Sequence, residues 1–152
     1  MNAPRWGIVL AVTAACWSSA ALAQGVIERV KAGGKIVIAH RESSVPFSYV
    51  DPATKKPVGY ALDLCLKLAD AVGKKAGVRN VPVEFMQVTP ANRIAMVEQG
   101  KADMECGSTT NNAERREKVA FTIPHFITGA RLLVKADSPI DRIEDLMGKK
   151  LV

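Results

Sequence analysis

The chain has 152 residues, 48% of them hydrophobic, with 21 Lys+Arg against 15 Asp+Glu for a formal charge of +6. With only 11 Gly and 8 Pro, this balance excludes disordered, collagen-like and low-complexity classes, and the length suits one domain with its own core. Three cysteines without CxxC spacing exclude a disulfide scaffold and a zinc ribbon.

Met1 to Ala23 carry one charge, Arg5, and no acid. The run from Trp6 to Trp17 is apolar or small throughout, and Ala21-Leu22-Ala23 follows it. A charged start, a short apolar run and an A-x-A site predict a signal peptide over residues 1–23, cleaved before Gln24. The run falls short of the roughly 20 residues that span a bilayer. Export is therefore expected. Cys16 fits a lipid-attachment site less well, because Thr13 stands where such sites usually carry Leu. Cleavage leaves Cys65 and Cys106, an even pair in an oxidising compartment. A bridge between them and two separately buried thiols are both open readings.

Lys35 to Ala39 is an apolar run after Gly33-Gly34 and reads as a buried strand. Pro46 to Val50 reads as a short extended piece, and Asp51 to Pro57 as a turn. From Tyr60 to about Lys75, Leu62, Cys65, Leu66, Ala69 and Val72 recur at helical spacing on one face. Val81 to Val88 alternates as a second strand. Thr89 then caps a helix from Pro90 to Gln99, which Gly100 stops. Ala102 to Cys106 is a third strand, and Asn112 to Lys118 a short helix capped by Asn111 or Asn112. Phe121 to Phe126 reads as extended, Gly129 to Lys135 as a strand and Asp141 to Met147 as a last helix. Leu151-Val152 looks like a strand beginning. Strands and helices alternate, so the fold class is α/β.

Each of the first three strands is followed by short hydroxyls and an arginine. Arg41, Ser43 and Ser44 follow the first, and Thr89, Asn92 and Arg93 the second. Ser108, Thr109, Thr110 and then Arg115 follow the third. Open α/β sheets bind ligands outside the carboxyl ends of their strands. Guanidinium groups grip carboxylates in a two-pronged geometry, with hydroxyls and helix-start amides completing an anion site. A solvated surface position is the competing reading for each arginine. His40 and His125 have no Cys or acid at ligand spacing, so no metal or other cofactor is expected. No GxSxG, HExxH, P-loop or GxGxxG pattern occurs, and no catalytic residue is assigned. The basic excess is scattered, with Lys74-Lys75 and Lys149-Lys150 as isolated pairs and aromatics at 5%. A nucleic-acid surface is therefore not expected.

At these residues the sequence resembles the periplasmic solute-binding proteins of polar amino-acid ABC transporters, solute-binding family 3. The likeness is to its glutamate/aspartate-binding branch in particular. It is carried by HRESSVPFSY (His40 to Tyr49), GYALDLC (Gly59 to Cys65), TPANRI (Thr89 to Ile94) and ECGSTTNNAERR (Glu105 to Arg116). ERREKVAFTIPHF, GARLLVK and IEDLMGKKLV extend it towards Val152. The resemblance implies a type II clamshell with a first lobe over residues 24–129, nearly complete. Residues 130–152 would be the hinge and the start of a second lobe, family chains running on for about as long again. It implies that Ser108, Thr110 and Arg115 hold an α-carboxylate, while Arg41 and Arg93 hold a side-chain carboxylate. L-glutamate or L-aspartate would be the ligand, an inner-membrane ABC permease the partner, and a monomer the complete form. Pro90 stands where relatives carry a ligand-binding Ser, which removes one hydrogen bond. A binding protein rather than an enzyme is expected. The alternatives are a dehydratase of cyclic dicarboxylates on the same fold, with Glu42 and Glu105 as the nearby carboxylates, or a truncated chain without function of its own.

Overall fold

The computed structural model describes residues 25–129 and 131–150. The expected signal over residues 1–23 and the strand at Leu151-Val152 lie outside them. A helix that the sequence reading did not anticipate, α1 (Val26–Lys31), opens the described chain. It leads into β1 (Ile36–His40), the central strand of a parallel sheet with β5 (Val83–Gln87) on one side and β6 (Met104–Cys106) on the other. Ile36 pairs with Val83 and His40 with Gln87, while Ile38 pairs with Met104 and His40 with Cys106. β1 is apolar at successive positions because both of its faces are covered. Ile36 and Ile38 join Val30 of α1, Cys106, and Ala61, Leu62, Cys65 and Ala69 of α2 (Tyr60–Ala76). On the other face Ala39 packs with Val88 and Ala102 beneath Met96 and Val97 of α3 (Arg93–Glu98).

Glycine brackets α2. Gly59 has φ 135°, and a Cβ there would collide with the Phe47 carbonyl. Gly77 closes the helix in the left-handed region (φ 72°), with the Val78 amide donating to the Gly73 carbonyl at 2.9 Å. Lys74 and Lys75 in the last turn complement the helix dipole. Cys65 of α2 is bonded to Cys106 of β6, their Cα atoms 6.4 Å apart, so the alternative of two buried thiols falls away. The bridge ties α2 to the end of β6 from which the loop at Ser108 leaves.

Asp103 fixes the other end of β6. Its amide donates to the Val37 carbonyl at 2.8 Å, and its carboxylate accepts the Val37 amide at 2.8 Å. Arg29 of α1 pairs with the same carboxylate. One acidic side chain thus joins α1, β1 and β6 at the start of the ladder.

Residues 43–58 form a small antiparallel sheet where the sequence reading had only an extended piece and a turn. Its strands are β2 (Ser43–Ser44), β3 (Ser48–Val50) and β4 (Pro57–Val58), with β3 central. The second and third main strands are shorter than expected from their patterns. The helix expected from Pro90 begins its regular turns only at Arg93. Before it, the Thr89 amide donates to Asn92 Oδ1 at 2.8 Å and the Asn92 amide to Thr89 Oγ1 at 3.3 Å, a reciprocal capping pair. The short helix after β6 is a single turn, α4 (Ala113–Arg116), capped by Asn112.

Two expectations are corrected. Gly129 to Lys135 is not a strand: none of its described residues is in a β-ladder. A strand exists only where its amides and carbonyls find a neighbour, and apolar pattern alone does not supply one. The short helix expected over Asp141 to Met147 is a single 3-10 turn, confined to Ile143–Leu146. Asp145 holds that turn by accepting the amides of Asp141 at 2.9 Å and Arg142 at 3.1 Å.

Candidate ligand-binding site

The parallel sheet brings the three loops expected to bear the site to one end. At the end of β1, the Arg41 amide donates to Ser48 Oγ at 2.9 Å, and Ser48 is fully buried in β3. The small sheet therefore fixes where Arg41 leaves the strand. Val88, just past β5, donates its amide to the His40 carbonyl at 2.8 Å and is itself buried. That anchors the start of the Thr89–Asn92 turn, which delivers Arg93. After β6, the Ser108 and Ser44 hydroxyl oxygens lie 2.7 Å apart, linking the loops that follow β1 and β6. Asn112 Oδ1 accepts the Arg115 amide at 2.9 Å, and the Arg115 guanidinium donates to the Thr110 carbonyl at 2.8 Å.

Arg93 is the electrostatic centre of this end. Only 8% of it is exposed. Its pKa is lowered, first by burial and then by the like charges of Arg41 and Arg115, with Glu105 acting in the opposite sense. Arg41, Arg115 and Glu105 therefore all lie within electrostatic reach of Arg93 at this end of the sheet. The Arg93 Nε and Thr109 Oγ1 atoms are buried without a hydrogen-bond partner among the described residues. Unpartnered buried donors beside concentrated positive charge are suited to an anion that accepts from them.

Arg41, Arg93 and Arg115 are thus brought together. The side chains of Ser108 and Thr110 are exposed on the same loop, Ser108 against Ser44 and Thr110 through its carbonyl against Arg115. The sequence reading missed Ser48, whose hydroxyl positions Arg41; it placed Thr109 after the third strand but gave it no part in holding the ligand, and its hydroxyl is buried between Ser108 and Thr110. Ser48 was legible in part as the single small polar residue between Phe47 and Tyr49. Two concavities, of about 320 and 410 Å³, lie along α2 and the turn near Val81, at the opposite end of β5 from the arginines. No group of three or more His, Cys, Asp or Glu suited to a metal ion occurs among the described residues.

Comparisons with known proteins show what the chain as a whole is similar to. The chain is 41% identical over 145 residues to the L-glutamate/L-aspartate-binding protein of Pseudomonas aeruginosa, covering 93% of this chain and 48% of that protein. It is 42% identical over 130 residues to the glutamate/aspartate import solute-binding protein of Salmonella typhimurium, covering 86% and 43%. The chain therefore spans about half the length of the curated relatives it matches. Among solved structures, a cysteine-binding protein from Campylobacter jejuni superposes with a TM-score of 0.60 at 27% identity, over 79% of this chain and 46% of that one. An ancestral cyclohexadienyl dehydratase superposes with a TM-score of 0.56 at 26% identity, over 66% and 39%. Residues 36–150 match the model of the bacterial extracellular solute-binding proteins, family 3. With its parallel sheet and the motifs of its strand-end loops both inside that match, the chain belongs to this family.

Proposed function

We propose that the chain is the ligand-gripping part of an extracytoplasmic binding protein that captures an acidic amino acid and presents it to an ABC permease of the inner membrane. The observation that carries this reading is that Arg41 and Arg115, from the segments that follow β1 and β6, both act on the buried Arg93 after β5 at one end of the parallel sheet. In it, Ser108, Thr110 and Arg115 hold the α-carboxylate, and Arg41 and Arg93 hold the side-chain carboxylate. A neutral or cationic ligand leaves guanidinium charge uncompensated, so selection follows from charge matching. The names of the Pseudomonas and Salmonella relatives support L-glutamate or L-aspartate. In the same reading residues 1–23 direct export to the periplasm, residues 24–129 form the first lobe and residues 130–152 form the hinge and the start of the second. The whole protein acts as a monomer and without catalysis.

Calorimetry on the whole protein tests this. Glutamate or aspartate should bind tightly, and lysine and glutamine weakly. Arg93→Ala should weaken the dicarboxylates by roughly 30-fold or more, the ~2 kcal/mol lost with one partner of a buried charged contact. Its effect on a neutral amino acid should be far smaller. Binding of lysine or histidine but of neither acidic amino acid would overturn the charge-matching argument. The likeness to a dehydratase makes prephenate turnover the control: product formation would move the chain to an enzymatic reading.

A further inference from the structure

Among the described residues Glu105 is the carboxylate that acts on the buried Arg93 as an opposing charge, and the fold explains how it comes to be there. β6 alternates about the sheet: Met104 and Cys106 face the core beneath α2, so Glu105 between them faces the side covered by α3. Its register neighbour Ala39 packs on that side, beneath the helix that begins at Arg93. The alternation of β1, carried one residue past His40, puts Arg41 on the same side. Glu105 Oε1 lies 2.8 Å from the point where a Cβ on Gly107 would stand, and Arg41 Cγ lies 3.3 Å from that point. The carboxylate and the Arg41 stem thus both border the space that a side chain on residue 107 would fill. Oε1 is buried and accepts no hydrogen bond among the described residues. A carboxylate so placed is tolerated only where positive charge compensates it.

We infer that Glu105 is the resident counter-charge of the arginine cluster, a positioning residue that touches no ligand. It offsets the mutual repulsion of the three guanidinium groups while the site is empty. Arg93 and the two arginines that act on it, less Glu105, sum to a formal charge of +2, which two ligand carboxylates neutralise. Glu105 therefore sets how much negative charge the site accepts. The match to a dicarboxylate rests on the function proposed above; the counter-charge itself does not.

Inorganic sulfate probes the charge independently of any amino acid. In the whole protein, Glu105→Gln should melt at a lower temperature than wild type in the absence of added anions. It should bind sulfate about tenfold more tightly, the size of effect expected when one nearby charge is removed in a partly buried site. Glu105→Asp, which keeps the charge, should stay close to wild type in both. If Glu105→Gln does not fold, Arg41→Gln is compared with Arg41→Gln/Glu105→Gln, and the double variant should bind sulfate about tenfold more tightly than the single one. A lower melting temperature with unchanged or weaker sulfate binding would make Glu105 a structural residue and overturn the inference, as would equal sulfate affinity in the Arg41 pair. If wild type binds neither acidic amino acid while Glu105→Gln still gains sulfate affinity, the proposed function falls and the counter-charge stands.

Discussion

Residues 26–106 and residues 121–150 are both rich in apolar side chains, but only the first region buries them. Ile36 and Ile38 are completely enclosed, whereas Ile123 is 87% exposed, Met147 88% and Leu133 fully so. The sheet makes the difference. β1 offers a hydrogen-bonding edge on each side, and once β5 and β6 take those edges their alternate side chains must form two packed faces. No such edge meets residues 131–135. The second region is joined to the first through a few aromatic contacts: the Phe126 ring centroid lies 5.0 Å from that of Phe47, and the Tyr60 hydroxyl donates to the His125 carbonyl at 3.3 Å. An apolar run becomes core only where its backbone is satisfied first. In the two-lobed reading proposed above, Leu133 and Met147 belong to the hinge and the second lobe, and Ile123 to the end of the first.

The contrast breaks most visibly at the disulfide. Cys65 and Cys106 are 41 residues apart, and in the chain-entropy account closing such a loop contributes about 4 kcal/mol. Denaturant titrations with and without reductant should differ by roughly that amount. Trypsin cleavage after Arg131 and Lys135 should proceed at the same rate in both, because no part of that region is bound by the bridge. If reduction instead speeds cleavage there, the two regions share stability that their contacts do not account for.

Two leucines give a smaller and cleaner comparison. Leu62, 1% exposed, packs in the core between α2 and the sheet. Leu62→Ala should cost about 2–5 kcal/mol, the transfer term plus the cavity left behind. Leu133→Ala should change the unfolding free energy by about 0.5 kcal/mol or less, as expected of an exposed side chain without packed neighbours. Chemical denaturation of both variants checks this. A cost at Leu133 approaching that at Leu62 would mean that residues 131–135 are packed in solution.

The parallel sheet and its helices were legible because their signals are local: an apolar run after Gly33-Gly34, helical spacing from Leu62 to Val72, and a stop at Gly100. The arginines were legible for the same reason: Arg41 stands just past β1, and Arg93 and Arg115 are the first arginines after β5 and β6. α1 was not, since Val26, Ile27 and Val30 lie in a stretch too short for a helical pattern to stand out. The small sheet over residues 43–58 depends on contacts between its own strands, which no alternation reveals in pieces two or three residues long. Gly129 to Lys135 has a strand's composition without a strand's neighbours, so the pattern misled. Glu105 was noticed only as a carboxylate near the site. Its importance comes from the face it takes between Met104 and Cys106, and that follows once β6 is paired to β1.

The finest comparison lies in two carboxylates, one in each region, that do the same local work. Asp51 accepts the Thr54 amide at 2.7 Å, the Thr54 hydroxyl at 3.0 Å and the Ala53 amide at 2.9 Å, which together hold its pKa below the ordinary 3.8. Asp145 is held below the same value by the amides of Asp141 and Arg142. In each case the folded pKa lies under the unfolded one, so the turn's stabilisation is complete above about pH 4 and is lost as pH falls through the lowered value. Carboxyl NMR titration should find both groups ionising below an ordinary aspartate, and Asp51→Asn or Asp145→Asn should abolish the acid sensitivity of its own turn alone. The effects are small because both side chains face solvent. Their value is that they read local order without reference to the core. Should Asp145 titrate as an ordinary aspartate while Asp51 does not, the 3-10 turn would need packing that residues 121–150 lack, and the two regions would differ in backbone order as well as in burial.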